Sequence, residues 1–156
     1  EEDLYWRPFL RGGFGLTGAW APDARTFFVG TAPGKLLSVK FTSNDEIDRE
    51  SVKVNDAIHQ RYPDDSPIGI AFDPLQDPSD PHLYVSHSPV YYWWRQGVPC
   101  FDGENDYAPF LGKISRLSGP GFSIIETLIE GLPNGNGDHN MNGMHFDNEG
   151  NLYVNA

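Results

Sequence analysis

Cysteine is almost missing from this chain of 156 residues, where Cys100 stands alone. A lone thiol excludes an internal disulfide, so any partner of Cys100 lies outside these residues. Positive charge is scarce as well. There are 11 Lys and Arg against 22 Asp and Glu, a formal net charge of −11. Nucleic acid and anionic membrane surfaces both call for clustered cations, so neither is an expected partner. No apolar run approaches the length of a membrane span. The chain opens Glu1-Glu2-Asp3, without the basic start and apolar stretch of a secretory signal. We therefore expect that a signal was removed or that the start lies elsewhere. Sustained helical periodicity is also lacking, and only 45–59 offers a turn or two of helix. There is no G-x-S-x-G elbow and no P-loop. The loose G-x-G-x-x-G match from Gly13 to Gly18 opens a strand rather than a helix, so it does not read as a dinucleotide site.

What the chain does have is turns and rings. Gly (17) and Pro (13) are plentiful, and aromatics make up 13% of the residues against 38% apolar overall. The glycines and prolines are interleaved with short apolar runs, the pattern of an all-β protein rather than of disorder.

One pattern recurs three times. Gly18-Ala19-Trp20-Ala21-Pro22-Asp23 leads into Thr26-Phe27-Phe28-Val29-Gly30. Gly69-Ile70-Ala71-Phe72-Asp73-Pro74 leads into His82-Leu83-Tyr84-Val85-Ser86. Gly143-Met144-His145-Phe146-Asp147-Asn148 leads into Asn151-Leu152-Tyr153-Val154-Asn155. Each reads as a hairpin with an Asp turn. A third strand follows twice, at Gly34–Val39 and at Gly112–Leu117, and a fourth is offered by Val52–Ala57 and Ile124–Ile129. Four short antiparallel strands per repeat is the anatomy of a propeller blade. The first two repeats begin 51 residues apart and the next two 74, so the second unit carries an insertion, which we place at 86–110. The chain stops within a strand-like run, which leads us to expect a fragment of something longer, about two and a half blades within 1–156.

The candidate chemistry lies between the second and third repeats, in Leu132-Pro133-Asn134-Gly135-Asn136-Gly137-Asp138-His139-Asn140-Met141-Asn142-Gly143. In a propeller this connection runs from an outer strand to the next inner strand, toward the central channel. A neutral His there suits general-base work, and the adjacent Asp138 could orient its ring or bind a substrate hydroxyl. Taken alone, a Gly-Asp-His loop is more often a structural turn. The alternating oxygen donors and acidic closer of a calcium loop are absent, so no metal is expected on Asp138, His139, Asn140 and Asn142. His82, His87 and His145 read as strand or rim residues, and His59 as solvated. In the insertion, Tyr91, Tyr92, Trp93 and Trp94 read as a local core or as a platform for a sugar face. The acidic run Asp102 to Asp106 reads as a solvated loop.

Taken in order, these segments resemble the glucose/sorbosone dehydrogenase family, soluble quinoprotein sugar dehydrogenases with a six-bladed propeller. Leu16–Val39 is similar to its first blade. Ile68-Gly69-Ile70-Ala71-Phe72-Asp73-Pro74 with Leu83-Tyr84-Val85-Ser86 resembles its Leu-Gly-(apolar)-Ala-Phe-His-Pro signature, and Gly112–Leu117 the strand that follows. Leu128–Pro133, Gly137-Asp138-His139-Asn140 and Asn151-Leu152-Tyr153-Val154 look like its most distinctive segment. The resemblance implies His139 as catalytic base and Asp138 as substrate-binding partner. It implies pyrroloquinoline quinone (PQQ) as cofactor, and oxidation of a sugar or polyol by proton abstraction with hydride transfer to the quinone. It also implies a secreted or periplasmic protein. The cofactor-gripping residues and calcium ligands are expected beyond Ala156. The sequence departs from the family in three places. Asp64-Asp65-Ser66-Pro67 stands where a Gln that approaches the sugar is usual, Asp73 replaces a His, and the insertion is unusually aromatic. The alternative is a non-catalytic extracellular propeller, a recognition domain like those of the hedgehog-interacting proteins.

Overall fold

The structure, a computed structural model, describes residues 15–31, 34–89, 110–133 and 143–155. The three repeated segments each form a hairpin. β1 (Gly15–Trp20) pairs with β2 (Thr26–Thr31), β5 (Asp65–Phe72) with β6 (Leu83–Pro89), and β9 (Gly143–Phe146) with β10 (Leu152–Asn155). The repeated Asp explains each turn. Asp23 Oδ1 accepts the N–H groups of Arg25 (2.9 Å) and Thr26 (2.8 Å), and Oδ2 accepts the Thr26 hydroxyl (2.7 Å). Asp73 Oδ1 accepts the N–H of Leu75 at 2.9 Å. Asp147 Oδ1 accepts Glu149 N–H (2.9 Å) and Asn151 N–H (2.8 Å). A short carboxylate that captures backbone donors two to four residues ahead fixes the reversal of the chain. Bonding from the side chain and backbone of Asn151 holds the Asp147 carboxyl below its ordinary range. Burial pushes that of Asp23 up, but the Thr26 hydroxyl and the two backbone donors outweigh it.

Two antiparallel sheets extend these hairpins. β3 (Lys35–Phe41) and β4 (Ile47–Asn55) complete the first, in the order β1-β2-β3-β4. β7 (Gly112–Ser118) and β8 (Ile124–Leu132) complete the second, in the order β5-β6-β7-β8. The fold class is therefore all-β, built of four-stranded meanders. Three boundaries differ from expectation. β4 starts at Ile47, so most of the stretch read as possible helix is strand, and helix α1 covers only Ala57–Arg61. Ile47 and Val52 pack on the apolar face of the first sheet, while the polar residues between them and Val54 leave the rest of the strand largely exposed. β6 runs on to Pro89, so the first residues assigned to the insertion belong to the sheet. Residues 90–109, with Tyr91, Tyr92, Trp93, Trp94 and Cys100, lie outside the described residues.

Both faces of the first sheet are apolar. Phe28 and Leu36 join Ile58, Ile70, Leu83, Val85 and Leu117 in a core shared with the second sheet. On the opposite face Val29, Leu37 and Val39 cluster with Phe27, Phe41, Ile47 and Val52. The second sheet likewise buries apolar residues on both faces. Its Ile70, Leu83 and Val85 face the first sheet, while Tyr84 on the other side meets Phe146 of β9 with ring centroids 4.9 Å apart. The first strands of successive units lie side by side, β1 against β5 and β5 against β9.

Gly34 marks where the first sheet touches the start of β5. Its φ is +75°, and a Cβ there would sit 2.7 Å from the carbonyl oxygen of Asp65. Gly34→Ala is expected to lower stability by about 1–2 kcal/mol from the left-handed backbone alone, and further from the collision. A drop in the urea midpoint at unchanged m-value would show it.

Candidate functional site

The start of β5, the end of β6, the start of β7 and the end of β8 meet at one end of the second sheet. Asp65 pairs with Pro89, His87 with Lys113, and Gly112 with Leu132. The connection 134–142 leaves β8 at this end and enters β9. Asp138 and His139, the expected substrate-binding and catalytic residues, belong to that connection and lie outside the described residues.

A different set of polar residues occupies the end of the sheet itself. Of the stretch Asp64–Pro67, read from sequence as a departure in a polar segment, residues 65–67 become the buried start of β5, while Asp64 stays exposed in the turn before it. Pro67 is tolerated there because a bulge between Pro67 and Gly69 interrupts the ladder. Asp65 Oδ2 lies 2.7 Å from His87 Nδ1, and His87 Nε2 lies 2.8 Å from Ser115 Oγ. Lys113 Nζ donates to the same Asp65 oxygen at 3.0 Å and to the Leu111 carbonyl at 2.9 Å. Beyond Ser115 the hydroxyl of Thr127 lies at 3.4 Å, and Tyr62 Oη lies 2.6 Å from Thr127 Oγ1. The chain of contacts thus crosses β5, β6, β7 and β8 in order.

The protonation state follows from the partners. Burial is the largest influence on His87 and pushes its pKa down. The hydrogen bond and charge of Asp65 push it up, and the Lys113 charge pushes it down again. The net is downward, so the ring is neutral at pH 7. Facing a carboxylate, its single proton sits on Nδ1 and donates to Asp65. Nε2 is then an acceptor and takes the Ser115 proton. The Asp65 carboxylate is balanced by Lys113, whose ammonium also lies 5.0 Å over the Tyr62 ring.

Asp-His-Ser in this order is the connectivity of a nucleophilic triad. Burial gives it another role here. Ser115 is 0% exposed, His87 1% and Asp65 3%, so no carbonyl carbon can approach the Ser115 oxygen. The arrangement is a polar tie that holds four strands together. Sequence reading placed His87 only as a strand or rim residue at the edge of the insertion, where the structure puts it within β6, and it could not find Asp65, Ser115 or Thr127. Those residues sit up to 62 positions apart (Asp65 to Thr127) and carry no local motif. The order of the strands is what joins them.

The other histidines divide. His145 lies exposed on β9 opposite Tyr153, and His82 sits just before β6 with Nε2 3.9 Å from Asp80 Oδ2. His59, read as solvated, is instead half-buried, and its Nδ1 is enclosed without a partner. It lies on the short helix α1, pressed against Gly34. Ser66 and Ser88, opposite one another on the far face of β5 and β6, also bury hydroxyls without partners.

Among the described residues no three His, Cys, Asp or Glu side chains are grouped to hold a metal. No described helix is long and apolar enough to cross a membrane. No family model, curated protein or solved structure matches the chain.

Proposed function

We propose that the chain is part of a β-propeller and supplies the proton-abstracting residue of a dehydrogenase acting on a sugar or related alcohol. The observation that carries the propeller reading is the double-sided burial of both sheets, with β1, β5 and β9 side by side. A sheet in a two-layer sandwich keeps one face for solvent. Four-stranded meanders that bury both faces, and meet through their first strands, suit a radial array. Six blades, and a secreted or periplasmic location, follow from the likeness to glucose/sorbosone dehydrogenases.

On this reading His139 is the general base and Asp138 holds the substrate hydroxyl. An imidazole with an ordinary pKa of about 6.5 takes up a hydroxyl proton effectively near neutrality. Among the described residues no three His, Cys, Asp or Glu are grouped for calcium, and three of the cations that could meet the quinone carboxylates are already paired. Lys113 is engaged by Asp65 and Leu111, Arg116 by Glu126, and Arg25 by Asp45. On the same likeness the ligands of the quinone and of the metal belong to later blades.

The test uses the full-length protein supplied with PQQ and calcium. Dye-linked oxidation of sugars and polyols is expected, and His139→Gln is expected to reduce turnover roughly 100- to 10,000-fold. The absorbance titration with PQQ should be unchanged in that variant. Retained turnover in His139→Gln would remove the base assignment. A full-length protein that neither binds PQQ nor oxidises sugars would favour the non-catalytic recognition propeller.

A further inference from the structure

We propose that the Asp65–His87–Ser115 tie is a pH-sensitive latch, which holds one end of the second sheet closed while His87 is neutral and releases that end when His87 is protonated. The geometry supplies the coupling. The His87 side chain is 0% exposed, and both of its nitrogens are already committed, Nδ1 to Asp65 and Nε2 to Ser115. A second proton can only enter at Nε2, which turns that atom from acceptor to donor. The Ser115 hydroxyl must then turn away, and the oxygen available to it is Thr127 Oγ1 at 3.4 Å, a poor hydrogen bond.

Charge opposes the second proton as well. The groups facing His87 are Asp65 from β5, Lys113 and Ser115 from β7, Thr127 and Glu130 from β8, and Tyr62 from the segment after α1. Helix α1 adds Arg61, 5.7 Å from the Tyr62 ring, and His59. With His87 neutral, Asp65 and Lys113 balance. With His87 charged, one buried carboxylate serves two cations, the ring at 2.7 Å and the ammonium at 3.0 Å. Glu130 offsets this only from a distance. Letting water into this end of the sheet relieves the excess.

The sign follows from linkage. The folded-state pKa of His87 lies below its unfolded value, so stability from the tie is complete above the ordinary value of about 6.5. It is lost progressively as pH falls from there toward the folded pKa. Among the described residues the opposite end of the sheet has no buried histidine: His82, just before β6 with Nε2 3.9 Å from Asp80 Oδ2, is 30% exposed and ties no two strands together. There Leu83 pairs with Phe72 and Leu117, and Arg116 pairs with Glu126 on the exposed side.

Amide hydrogen exchange on the whole chain, between pH 7.5 and 5.5, tests the latch. After division by the intrinsic rates, the opening constants of Lys113, Ser115 and the neighbouring ladder amides are expected to rise roughly tenfold, from the two-state linkage of a group with unfolded pKa near 6.5. Those of Leu83 and Leu117 should stay level. Imidazole NMR should show His87 as the Nδ1–H tautomer, titrating below a free imidazole. In His87→Gln the rise should vanish. A rise shared equally by both ends, a His87 that titrates at its ordinary value, or a rise that survives in His87→Gln would each overturn the proposal. The first two are read on the unmodified chain, so they hold even if the variant fails to fold.

Discussion

Asp65→Ala is expected to destabilise the chain by about 3–5 kcal/mol, the range for removing one partner of a buried ion pair. The carboxylate accepts from both His87 and Lys113, and its side chain is 4% exposed. Without it the His87 Nδ1–H loses its acceptor, and the Lys113 ammonium keeps only the Leu111 carbonyl and no counter-charge. Lys113 can recover part of the loss, since its side chain is 15% exposed and lies near water. Urea unfolding would measure the effect, and Lys113→Met in the same background separates its parts. If the damage lies in the stranded ammonium, Asp65→Ala with Lys113→Met should regain stability over Asp65→Ala alone. A loss below about 1 kcal/mol, the scale of an ordinary hydrogen bond, would mean that water already reaches the cluster.

The second large effect is expected at Leu83, which is 0% exposed. It sits in β6 between Phe72 and Leu117 and belongs to the core that the two sheets share. Leu83→Ala removes three heavy carbons from a close-packed site between two sheets that cannot easily collapse. A loss of about 2–5 kcal/mol follows. Tyr153, 60% exposed on β10, is the control. Tyr153→Ala should change stability by less than about 0.5 kcal/mol. Equal losses at the two positions would mean that the core does not lie between the first two units.

The hairpins were legible in the sequence because their causes are local. Asp23, Asp73 and Asp147 capture donors within four residues, and alternation marks the strands on either side. Asp73, a departure from the family pattern when read as a letter, is a turn former when read as a carboxylate. β4 was harder, because its outer face is polar and a bulge between Ser38 and Lys40 interrupts its pairing. The tie was not legible at all. Asp65 falls in an acidic stretch, His87 at an assumed loop boundary and Ser115 within an apolar strand. Nothing in their spacing distinguishes them until antiparallel pairing sets Pro67 beside His87 and Val85 beside Ser115. The expected base, His139, was read from a short motif and its setting, and it lies outside the described residues.

The meander order of the second sheet also bears on how it is assembled. Its strands follow one another in sequence, so most pairings close short loops. The link from β7 to β8 spans 119–123, but the link from β6 to β7 spans 90–111. In the unfolded chain, closing the longer one costs roughly 1.3 kcal/mol more entropy than closing the shorter. Pairing of β6 with β7 is therefore the step in this sheet at which folding is most easily delayed. His87 with Ser115 bridges β6 and β7, and Asp65 with Lys113 reaches across from β5 to β7, so the contacts proposed to yield to acid are the ones that bridge the longest link of the sheet.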